Sequence, residues 1–307
     1  MGRWAVRAAV AVLLLSSVVL GLLWRYSGED PAGELLAQRG PLLSVRIEGS
    51  GGDDRFEKSW LRLSGGHGLS VQCGVLAPRD RSRRHPAIVL LGGAAAGRRA
   101  IEYARDVPDV VILALDYHVD WSGARDVAGV LRGVPAARRQ LLEVVPAAAL
   151  AADYLLGRPD VRASRLVLVG FSFGALFVPC LAAHDRRYAA AAMVDGGGDV
   201  GAIVAANLRP WQDATTSRAA GWAAGLLLRP LEPLRYAGRI APTPLLMING
   251  SRDARVPRDS VEKLFAAARQ PKRLIWLDAG HVDPGDPALT QRIVASLTAE
   301  LKRAGVL

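Results

Sequence analysis

Cysteine is scarce in this sequence. Its 307 residues include two cysteines, Cys73 and Cys180, and neither has neighbours at the spacing of a zinc or haem site. Two cysteines cannot form the framework of a disulfide-rich secreted domain. We therefore expect two packed thiols, with a single bridge between them as the alternative, and no metal site.

Aromatic residues and lysine are also rare. Aromatic residues make up 6% of the chain, so Leu, Val, Ile and Ala must fill the core of a sequence that is 50% hydrophobic. The net charge of +10 comes almost entirely from arginine, because only four of the 39 basic residues are lysines. The arginines are scattered and form no stripe with interleaved aromatic residues, which argues against a nucleic-acid partner. We expect instead a solvated basic surface.

Charged residues are missing from positions 8–24, a run of 17 residues near the start of the chain. The run is short for a membrane-spanning helix and long for the core of a signal peptide. Arg3 and Arg7 precede it and Arg25 follows it. Residues 1–28 are expected to be an uncleaved membrane anchor, with a removed signal peptide as the alternative. The first places the rest of the chain outside the cytoplasm on the membrane, and the second makes it secreted or periplasmic.

After a polar linker at 29–40, residues 41–307 are expected to form one α/β domain. The first part contains segments that alternate imperfectly between apolar and polar residues, which predicts antiparallel strands. The later part contains continuous apolar runs separated by helical patterns, which predicts a mostly parallel central sheet flanked by helices. The predicted strands cover 42–49, 55–64, 68–78, 87–93, 109–117, 165–170, 188–198, 243–250 and 273–278, and the predicted helices cover 137–157, 173–185, 259–269 and 287–304.

Residues 199–240 interrupt this alternation. They contain Trp211, Trp222, several leucines and several prolines. We expect them to form a small helical lid over the strand ends, where open α/β sheets bind ligands. Their apolar side chains indicate either an acyl or aryl pocket or ordinary packing, and both interpretations stay open.

The segment Gly170-Phe171-Ser172-Phe173-Gly174 lies between a predicted strand and a predicted helix. This is the context of a nucleophile elbow, in which a sharp strand-to-helix turn exposes the serine hydroxyl. The serine backbone is strained there, and the flanking positions need small side chains. We therefore identify Ser172 as the candidate nucleophile, with an ordinary glycine-containing loop as the alternative.

A serine hydroxyl needs a neighbouring base, and the base needs a carboxylate that orients it. Among the five histidines, His281 is the best candidate base, because it lies on the loop after a predicted strand and comes last in the chain order of serine, aspartate and histidine. His118 also follows a predicted strand, and we interpret it as a solvent-facing loop residue, with a substrate contact as the alternative. Asp253 follows another predicted strand and is the candidate carboxylate. Asp278 and Asp283 are closer to the histidine in sequence, but such near neighbours are expected to shape its turn. The order Ser172, Asp253, His281 is that of α/β-hydrolases.

An acyl-transfer site also needs donors for the oxyanion that develops in the transition state. The backbone amide of Phe173, next to the nucleophile, is expected to be one donor. The glycine-rich turn at 92–97 is expected to supply the second, from Ala94 or, as a near alternative, from Gly93. A tight strand-to-loop turn without this role is the other interpretation.

The stretches DYLLGRPDVRASRLVLVGFSFGA, LRYAGRIAPTPLLMINGSRDARVP and KRLIWLDAGHV resemble the α/β-hydrolase superfamily. Within it they are similar to the dienelactone-hydrolase and prolyl-oligopeptidase-like branch of bacterial serine esterases. The resemblance covers roughly residues 74–307. It implies an α/β-hydrolase fold, a triad of Ser172, Asp253 and His281, and hydrolysis of esters or related acyl compounds without a cofactor.

Two features depart from the pattern of these families. Relatives often have histidine before glycine at the oxyanion turn, where this chain has Gly92. Dienelactone hydrolases proper and bile-acid acyltransferase relatives use cysteine where this chain has Ser172, which argues against both activities. We expect a serine hydrolase that cleaves carboxylic esters of small molecules through an acyl-enzyme. The alternatives are a peptidase or thioesterase on the same triad, or a catalytically silent fold used for binding.

Overall fold

The computed structural model divides the chain into two units, Met1–Pro31 and Ala32–Leu307. The structure describes Ser17, Gly21 and residues 30–94, 96–105, 107–117, 127–283 and 285–307, with 127–131 described by backbone alone. Apart from two positions, the expected membrane anchor at 1–28 lies outside the described residues and stays a prediction. In the part of the chain that is described, no helix is long and apolar enough to cross a membrane.

One sheet of nine strands runs through the described part of the second unit. Its strands are β1 (Leu42–Gly52), β2 (Phe56–Gly65), β3 (Ser70–Pro78), β4 (His85–Leu91), β5 (Val111–Leu115), β6 (Val161–Phe171), β7 (Tyr188–Val194), β8 (Leu245–Gly250) and β9 (Lys272–Leu277). They lie in the order β1-β2-β3-β5-β4-β6-β7-β8-β9. The pairs β1-β2, β2-β3 and β3-β5 are antiparallel. The pairs β5-β4, β4-β6, β6-β7, β7-β8 and β8-β9 are parallel. The predicted mostly parallel sheet is therefore confirmed.

Burial follows the sequence pattern of the strands. β5 reads VILAL and all five of its residues are buried, and the run LVLVG of β6 is buried as well. Continuous apolar runs of this kind belong to strands covered on both faces. At the edge of the sheet, β1 carries polar residues in alternation and is almost entirely exposed.

Eight α-helices are found in the residues that the structure describes. They are α1 (Ala32–Ala37), α2 (Val127–Leu156), α3 (Val178–His184), α4 (Val200–Leu208), α5 (Ala214–Leu227), α6 (Pro233–Tyr236), α7 (Arg258–Ala267) and α8 (Pro287–Arg303). Short 3₁₀ segments cover Gly66–Gly68, Gly97–Ala104, Ser172–Phe177, Arg229–Leu231 and Ala237–Arg239.

The two faces of the sheet belong to separate hydrophobic clusters. Along β6, Leu166 and Leu168 belong to the cluster that contains residues of α1, α2 and α3. Val167 and Val169 belong to the other cluster, which contains residues of α8 and of the 3₁₀ segment Gly97–Ala104. This division follows from the alternation of side chains along a strand. We call the face of the sheet that carries Val167 and Val169 the α8 face.

The segment expected to be a polar linker, 29–40, differs from that expectation. It contains α1, whose Leu35 and Leu36 are buried in the cluster with α2. Just beyond the helix, the Arg39 guanidinium donates a hydrogen bond of 2.8 Å to the Asp153 carboxylate on α2. Burial of two leucines fixes α1 to the other elements of its unit, although a six-residue helix is too short to be stable alone.

The helix boundaries depart most from the predicted ones in α2. The predicted helix 137–157 begins ten residues earlier, at Val127, and is continuous through Pro135 and Pro146. The segment 199–240 contains α4, α5 and α6, and it is helical as expected. Trp211 and Trp222 are 81% and 69% exposed, so these two side chains form no core.

Candidate active site

Ser172 lies at a sharp turn between β6 and the 3₁₀ segment Ser172–Phe177, which leads into α3. Its φ of 51° is in the left-handed region, which a serine rarely adopts. The flanking glycines make this turn possible. A methyl group at Gly170 would lie 2.6 Å from the Gly174 carbonyl oxygen, and one at Gly174 would collide with the Leu91 carbonyl. The expected strained elbow, with small residues on either side, is present.

Ser172, His281 and Asp253 lie in one hydrogen-bonded series. The Ser172 Oγ is 2.6 Å from the His281 Nε2, and the His281 Nδ1 is 2.7 Å from the Asp253 Oδ2. Because a carboxylate can only accept, the ring must carry its proton on Nδ1 when neutral. The Nε2 lone pair then faces the serine hydroxyl, which is the arrangement a general base requires.

The three side chains come from loops after three parallel strands, β6, β8 and β9. Backbone bonds join the last two loops: the Ser251 amide donates to the Leu277 carbonyl at 2.8 Å, and the Arg252 amide donates to the Ala279 carbonyl at 2.9 Å. The side chains of His281 and Asp253 are 8% and 3% exposed. The ring and the carboxylate are therefore shielded from bulk water.

The carboxylate of Asp253 is held in place by its own loop. Its Oδ1 accepts hydrogen bonds from the amides of Arg255 and Val256 at 2.7 and 3.0 Å, which leaves Oδ2 for the histidine. The two nearer aspartates have other partners: Asp278 is 82% exposed and pairs with Arg252, and Asp283 accepts from a backbone amide in its own loop. The structure thus brings Asp253, and neither near neighbour, to the ring.

Asp195 is a residue of the site that the sequence analysis missed. It follows β7, is 1% exposed and has a φ of 47°. Its Oδ1 accepts from the Gly250 amide at 2.9 Å, and its Oδ2 accepts from the Val282 amide at 2.6 Å. Asp195 thereby joins the end of β7 to the end of β8 and to the loop that holds His281. The sequence signal is the acidic residue before three glycines in VDGGG, at the end of a strand.

Burial raises the pKa of the Asp195 carboxyl above the ordinary value of 3.8, because a charge is poorly solvated there. The nearby charge of Asp253 raises this pKa too. The hydrogen bonds from the Gly250 and Val282 amides and the proximity of His281 act in the opposite direction, but desolvation is the larger effect.

Ligand-type atoms of Asp195, Asp253 and His281 all lie within 4.8 Å of one another. Such a group could in principle hold a cation. Each of the four carboxylate oxygens, however, already accepts a hydrogen bond from a backbone amide or from the histidine ring. The donors around these oxygens account for the cluster as a hydrogen-bonded network.

The turn expected to supply the second oxyanion donor lies against the elbow. A methyl group at Gly93 would lie 4.0 Å from the Ser172 Cβ, and the Ala96 amide donates to the Gly93 carbonyl at 2.9 Å. Ala94, next along the turn, is exposed. Phe173 is half-buried in the first turn of the 3₁₀ segment. The roles of the Phe173 and Ala94 amides stay predictions.

Gly92 stands where related hydrolases often have histidine, and its surroundings leave no space for a side chain. A methyl group there would lie 2.9 Å from the Ala100 Cβ. The Tyr117 hydroxyl donates a hydrogen bond to the Gly92 carbonyl. This tyrosine packs against Phe173 and Phe177, with ring centroids 5.9 Å apart in each pair, and thus joins the turn to the elbow.

Comparison of the sequence with known families adds independent information. Residues 144–283, which include all three candidate catalytic residues, match the Prolyl oligopeptidase family. The protein named uncharacterized protein YfhR, of Salmonella typhi, is 31% identical over 140 residues, which are 43% of this chain and 46% of YfhR. The chain thus matches less than half of the length of this relative.

Solved structures match over more of the chain. Acetyl xylan esterase 1 from Thermoanaerobacterium sp. JW/SL YS485 has a TM-score of 0.62 at 17% identity, covering 91% of this chain and 98% of the esterase. The acetyl xylan esterase from Paenibacillus sp. R4 also has a TM-score of 0.62, at 18% identity, covering 87% of this chain and 92% of the esterase. At these identities the comparison speaks to the fold.

Proposed function

This chain has the α/β-hydrolase fold, and from that premise we propose that it is a serine hydrolase that cleaves carboxylic esters. The observation that supports this function best is the hydrogen-bonded series from Asp253 through His281 to Ser172. The series ends at a hydroxyl group on a strained elbow. A cavity opens beside that hydroxyl, so an ester carbonyl has room to approach it.

In the first step, the Ser172 Oγ attacks the carbonyl carbon of the ester while the His281 Nε2 takes the hydroxyl proton. The Asp253 carboxylate stabilises the imidazolium that forms. The oxyanion accepts hydrogen bonds from the amides of Phe173 and Ala94. The bond between the carbonyl carbon and the alkoxy oxygen then breaks, the imidazolium gives its proton to the leaving alcohol, and the acyl group stays on the serine.

In the second step, water replaces the alcohol. The His281 Nε2 takes a proton from this water, whose oxygen attacks the acyl carbon. The bond from that carbon to the Ser172 Oγ breaks, and the serine receives the proton from the histidine. The carboxylic acid leaves, and the enzyme returns to its starting state with one water consumed for each ester.

A peptidase on the same triad is the second candidate, because the family matched by residues 144–283 is named for prolyl oligopeptidases. A thioesterase would use the same steps with a thiolate leaving group. A silent binding protein is less favoured, since all three triad residues are present and in contact. Parallel assays with a 4-nitrophenyl ester, an aminoacyl 4-nitroanilide and an acyl thioester separate the three activities.

We also propose that the hydrolase acts outside the cytoplasm, held to the membrane by residues 1–28. The uncharged run at 8–24, with arginines on both sides, supports this proposal. A signal peptide that is removed after export is the alternative.

The test of the proposed activity compares the full wild-type chain with Ser172→Ala and with a matched control, Ser44→Ala. Ser44 is exposed on β1, on the edge strand. We expect the Ser172 variant to lose at least about 10³-fold in kcat/KM for 4-nitrophenyl acetate and the Ser44 variant to match wild type. Turnover near the wild-type level in folded Ser172→Ala would overturn the proposal.

A further inference from the structure

A cavity of about 240 Å³ opens at Ser172 and lies between the sheet and the elements on the α8 face. Its lining includes sheet residues such as Leu90 and Ile88, and residues of α8 as far as Leu301. These three side chains are buried, at 6%, 6% and 2% exposure. The cavity therefore extends from the reactive hydroxyl into the hydrophobic interior.

The cavity runs along the strands, away from their carboxyl ends. Gly92 lines it beside the elbow, and Ile88, four residues earlier in the chain, lines it as well. Four residues of strand span about 13 Å. On the opposite side, the lining residues of α8 extend from Thr290 to Leu301, about 16 Å along a helix. The cavity is therefore elongated, with the nucleophile at one end.

The sheet and the 3₁₀ segment Gly97–Ala104 form opposite sides of the inner cavity, and Tyr103 of this segment also lines it. Ile88 and Ile112 are paired neighbours on the sheet, and both line the cavity. Across from them, the 3₁₀ segment contributes Ala100 and Ala104 to the lining. Alanine side chains do not reach far enough to fill the gap that α8 leaves.

The lining is mainly apolar, with hydroxyl groups at Ser172, Tyr103, Thr290 and Thr298. Of the described residues that line the cavity, Arg255 has a charged side chain, and this residue is exposed. The Thr290 hydroxyl donates a hydrogen bond of 3.0 Å to the carbonyl of Asp286, the residue before α8. A polar ligand would lose its bonds to water here without replacing them, whereas a hydrocarbon would be stabilised.

We propose that this cavity binds the acyl chain of the substrate, and that the substrates are esters of unbranched aliphatic acids with about eight to ten carbons. This inference rests on the proposed hydrolase function. Three backbone bonds of an extended chain span about 3.5 Å, so about 13 Å accommodates roughly eleven bonds. A volume of 240 Å³ holds about eight groups of the size of water, at about 30 Å³ each.

The order of the two chemical steps assigns the cavity to the acid part of the ester. The alcohol must leave and water must enter at the same position, near the His281 Nε2, before the acyl group is released. That position needs access to solvent. The acyl group stays bound to Ser172 during the exchange, so its chain can occupy a cavity that extends into the protein interior.

The experiment measures kcat/KM of the full chain for 4-nitrophenyl esters from acetate to hexadecanoate, below the concentration at which each ester aggregates. Each buried methylene contributes up to about fourfold. We expect kcat/KM to rise at least about 100-fold from acetate to a maximum at octanoate or decanoate, and to fall for the hexadecanoate. A second series, acetate esters of alcohols from ethanol to decanol, is expected to show no such maximum.

Variants of residues that line the cavity test whether the acyl chain binds there. Ala104→Leu fills its inner part, and we expect the ratio of kcat/KM for octanoate to that for acetate to fall at least about tenfold. Ala183→Leu is the matched control, because Ala183 is equally buried, at 7%, in the cluster on the other face. It is expected to keep the wild-type ratio. Leu301→Ala lengthens the cavity and is expected to move the maximum to longer acids, which tests the proposal even if Ala104→Leu does not fold.

The outcomes separate this inference from the proposed function. If acetate is hydrolysed but kcat/KM does not rise with acyl length, or if the maximum occurs in the alcohol series, the assignment of the cavity is wrong and the hydrolase function stands. If both cavity variants keep the wild-type profile, the assignment is likewise wrong. If no ester is hydrolysed by folded protein, the proposed function fails and the inference fails with it.

Discussion

Asp253 is near His281 in space and Asp278 is near it in the chain, and the surroundings of these two carboxylates differ. The Asp253 carboxylate is 3% exposed, and its oxygens accept hydrogen bonds from two backbone amides and from the ring. The Asp278 carboxylate is 82% exposed and has Arg252 as its partner. A shielded carboxylate with a fixed orientation can set the tautomer of the ring, whereas an exposed one on the surface has little influence.

Asp253→Asn tests this difference. The asparagine oxygen can still accept from the Arg255 and Val256 amides, so its NH₂ group faces the ring and the histidine proton moves to Nε2. The ring then cannot accept the proton of Ser172. We expect kcat for an ester substrate to fall by about 10³- to 10⁴-fold, as measured by steady-state kinetics.

Asp278→Asn is the matched control for this substitution. It changes an aspartate three residues before His281, and kcat is expected to stay within about twofold of wild type because the Asp278 carboxylate is exposed and pairs with Arg252. An equal loss in both variants would show that the histidine is oriented by something other than Asp253.

The candidate catalytic residues were readable from the sequence, and Asp195 was not. Ser172, Asp253 and His281 each follow a strand with a clear apolar pattern, so their meeting at one edge of a parallel sheet could be expected. Asp195 resembles an ordinary turn residue in VDGGG. Its partners lie 55 and 87 residues further along the chain, and contacts over such separations depend on packing that no local pattern shows.

At the scale of elements, Asp195 stabilises the edge of the sheet that forms the site. Its two carboxylate oxygens join β7, β8 and the loop after β9. The Asp195 side chain is buried, and its pKa is raised mainly because burial disfavours the charge. In the folded protein the ionised carboxylate is therefore less stable, relative to its protonated form, than in the unfolded chain.

This shift predicts a pH dependence of stability. Between the ordinary pKa of 3.8 and the raised pKa in the fold, the folded state binds more protons at Asp195 than the unfolded state does. The contribution of this residue to stability therefore falls as pH rises through that interval, and it grows as pH is lowered. We expect the thermal midpoint of wild type, relative to that of Asp195→Asn, to increase as pH is lowered from 7 towards 4.

The same pair of proteins provides the control, since the titrating groups that do not interact with Asp195 are shared and cancel in the difference. Asp278→Asn, measured over the same pH range, removes an exposed carboxylate instead. A difference between wild type and Asp195→Asn that is constant, or that shrinks as pH is lowered, would contradict the account of Asp195.

The elements themselves were predictable where the apolar pattern is strong. The nine strands lie close to their predicted positions, because continuous or alternating apolar runs are bounded by glycine and polar residues. The weak elements were missed. α1 has six residues and depends on tertiary burial of its leucines. The first turns of α2 precede Pro135, a residue that is unfavourable inside a helix.

At the scale of the whole molecule, the sheet separates two hydrophobic cores, and the cavity at Ser172 lies in one of them. One face is covered by α2, α3 and their neighbours, whereas the α8 face has a cavity between α8 and the 3₁₀ segment Gly97–Ala104. The sequence left open whether Trp211 and Trp222 line an apolar pocket or pack in the core. Both are exposed, and the described lining of the cavity comes from other segments, since packing between distant elements decides where space remains.

The proposed location of the molecule gives a further prediction. If residues 1–28 anchor the hydrolase, the full chain stays with membranes washed in alkaline carbonate, and its mass is that of the uncleaved chain. Leu14→Glu combined with Val18→Glu places charges in the uncharged run and is expected to release the protein. Leu43→Glu, at an exposed apolar residue of β1, is the control. Recovery of the wild-type protein in the carbonate wash would contradict anchoring by residues 1–28.

The central claim is that Ser172 is an activated nucleophile, and labelling with a fluorophosphonate probe tests it most directly. The probe reacts only with serines whose hydroxyl is deprotonated by a base during attack. We expect stoichiometric labelling of the full wild-type chain, mapped by peptide mass to Ser172, and no labelling of Ser172→Ala. Absence of label on folded wild-type protein, or label at another serine, would contradict the account.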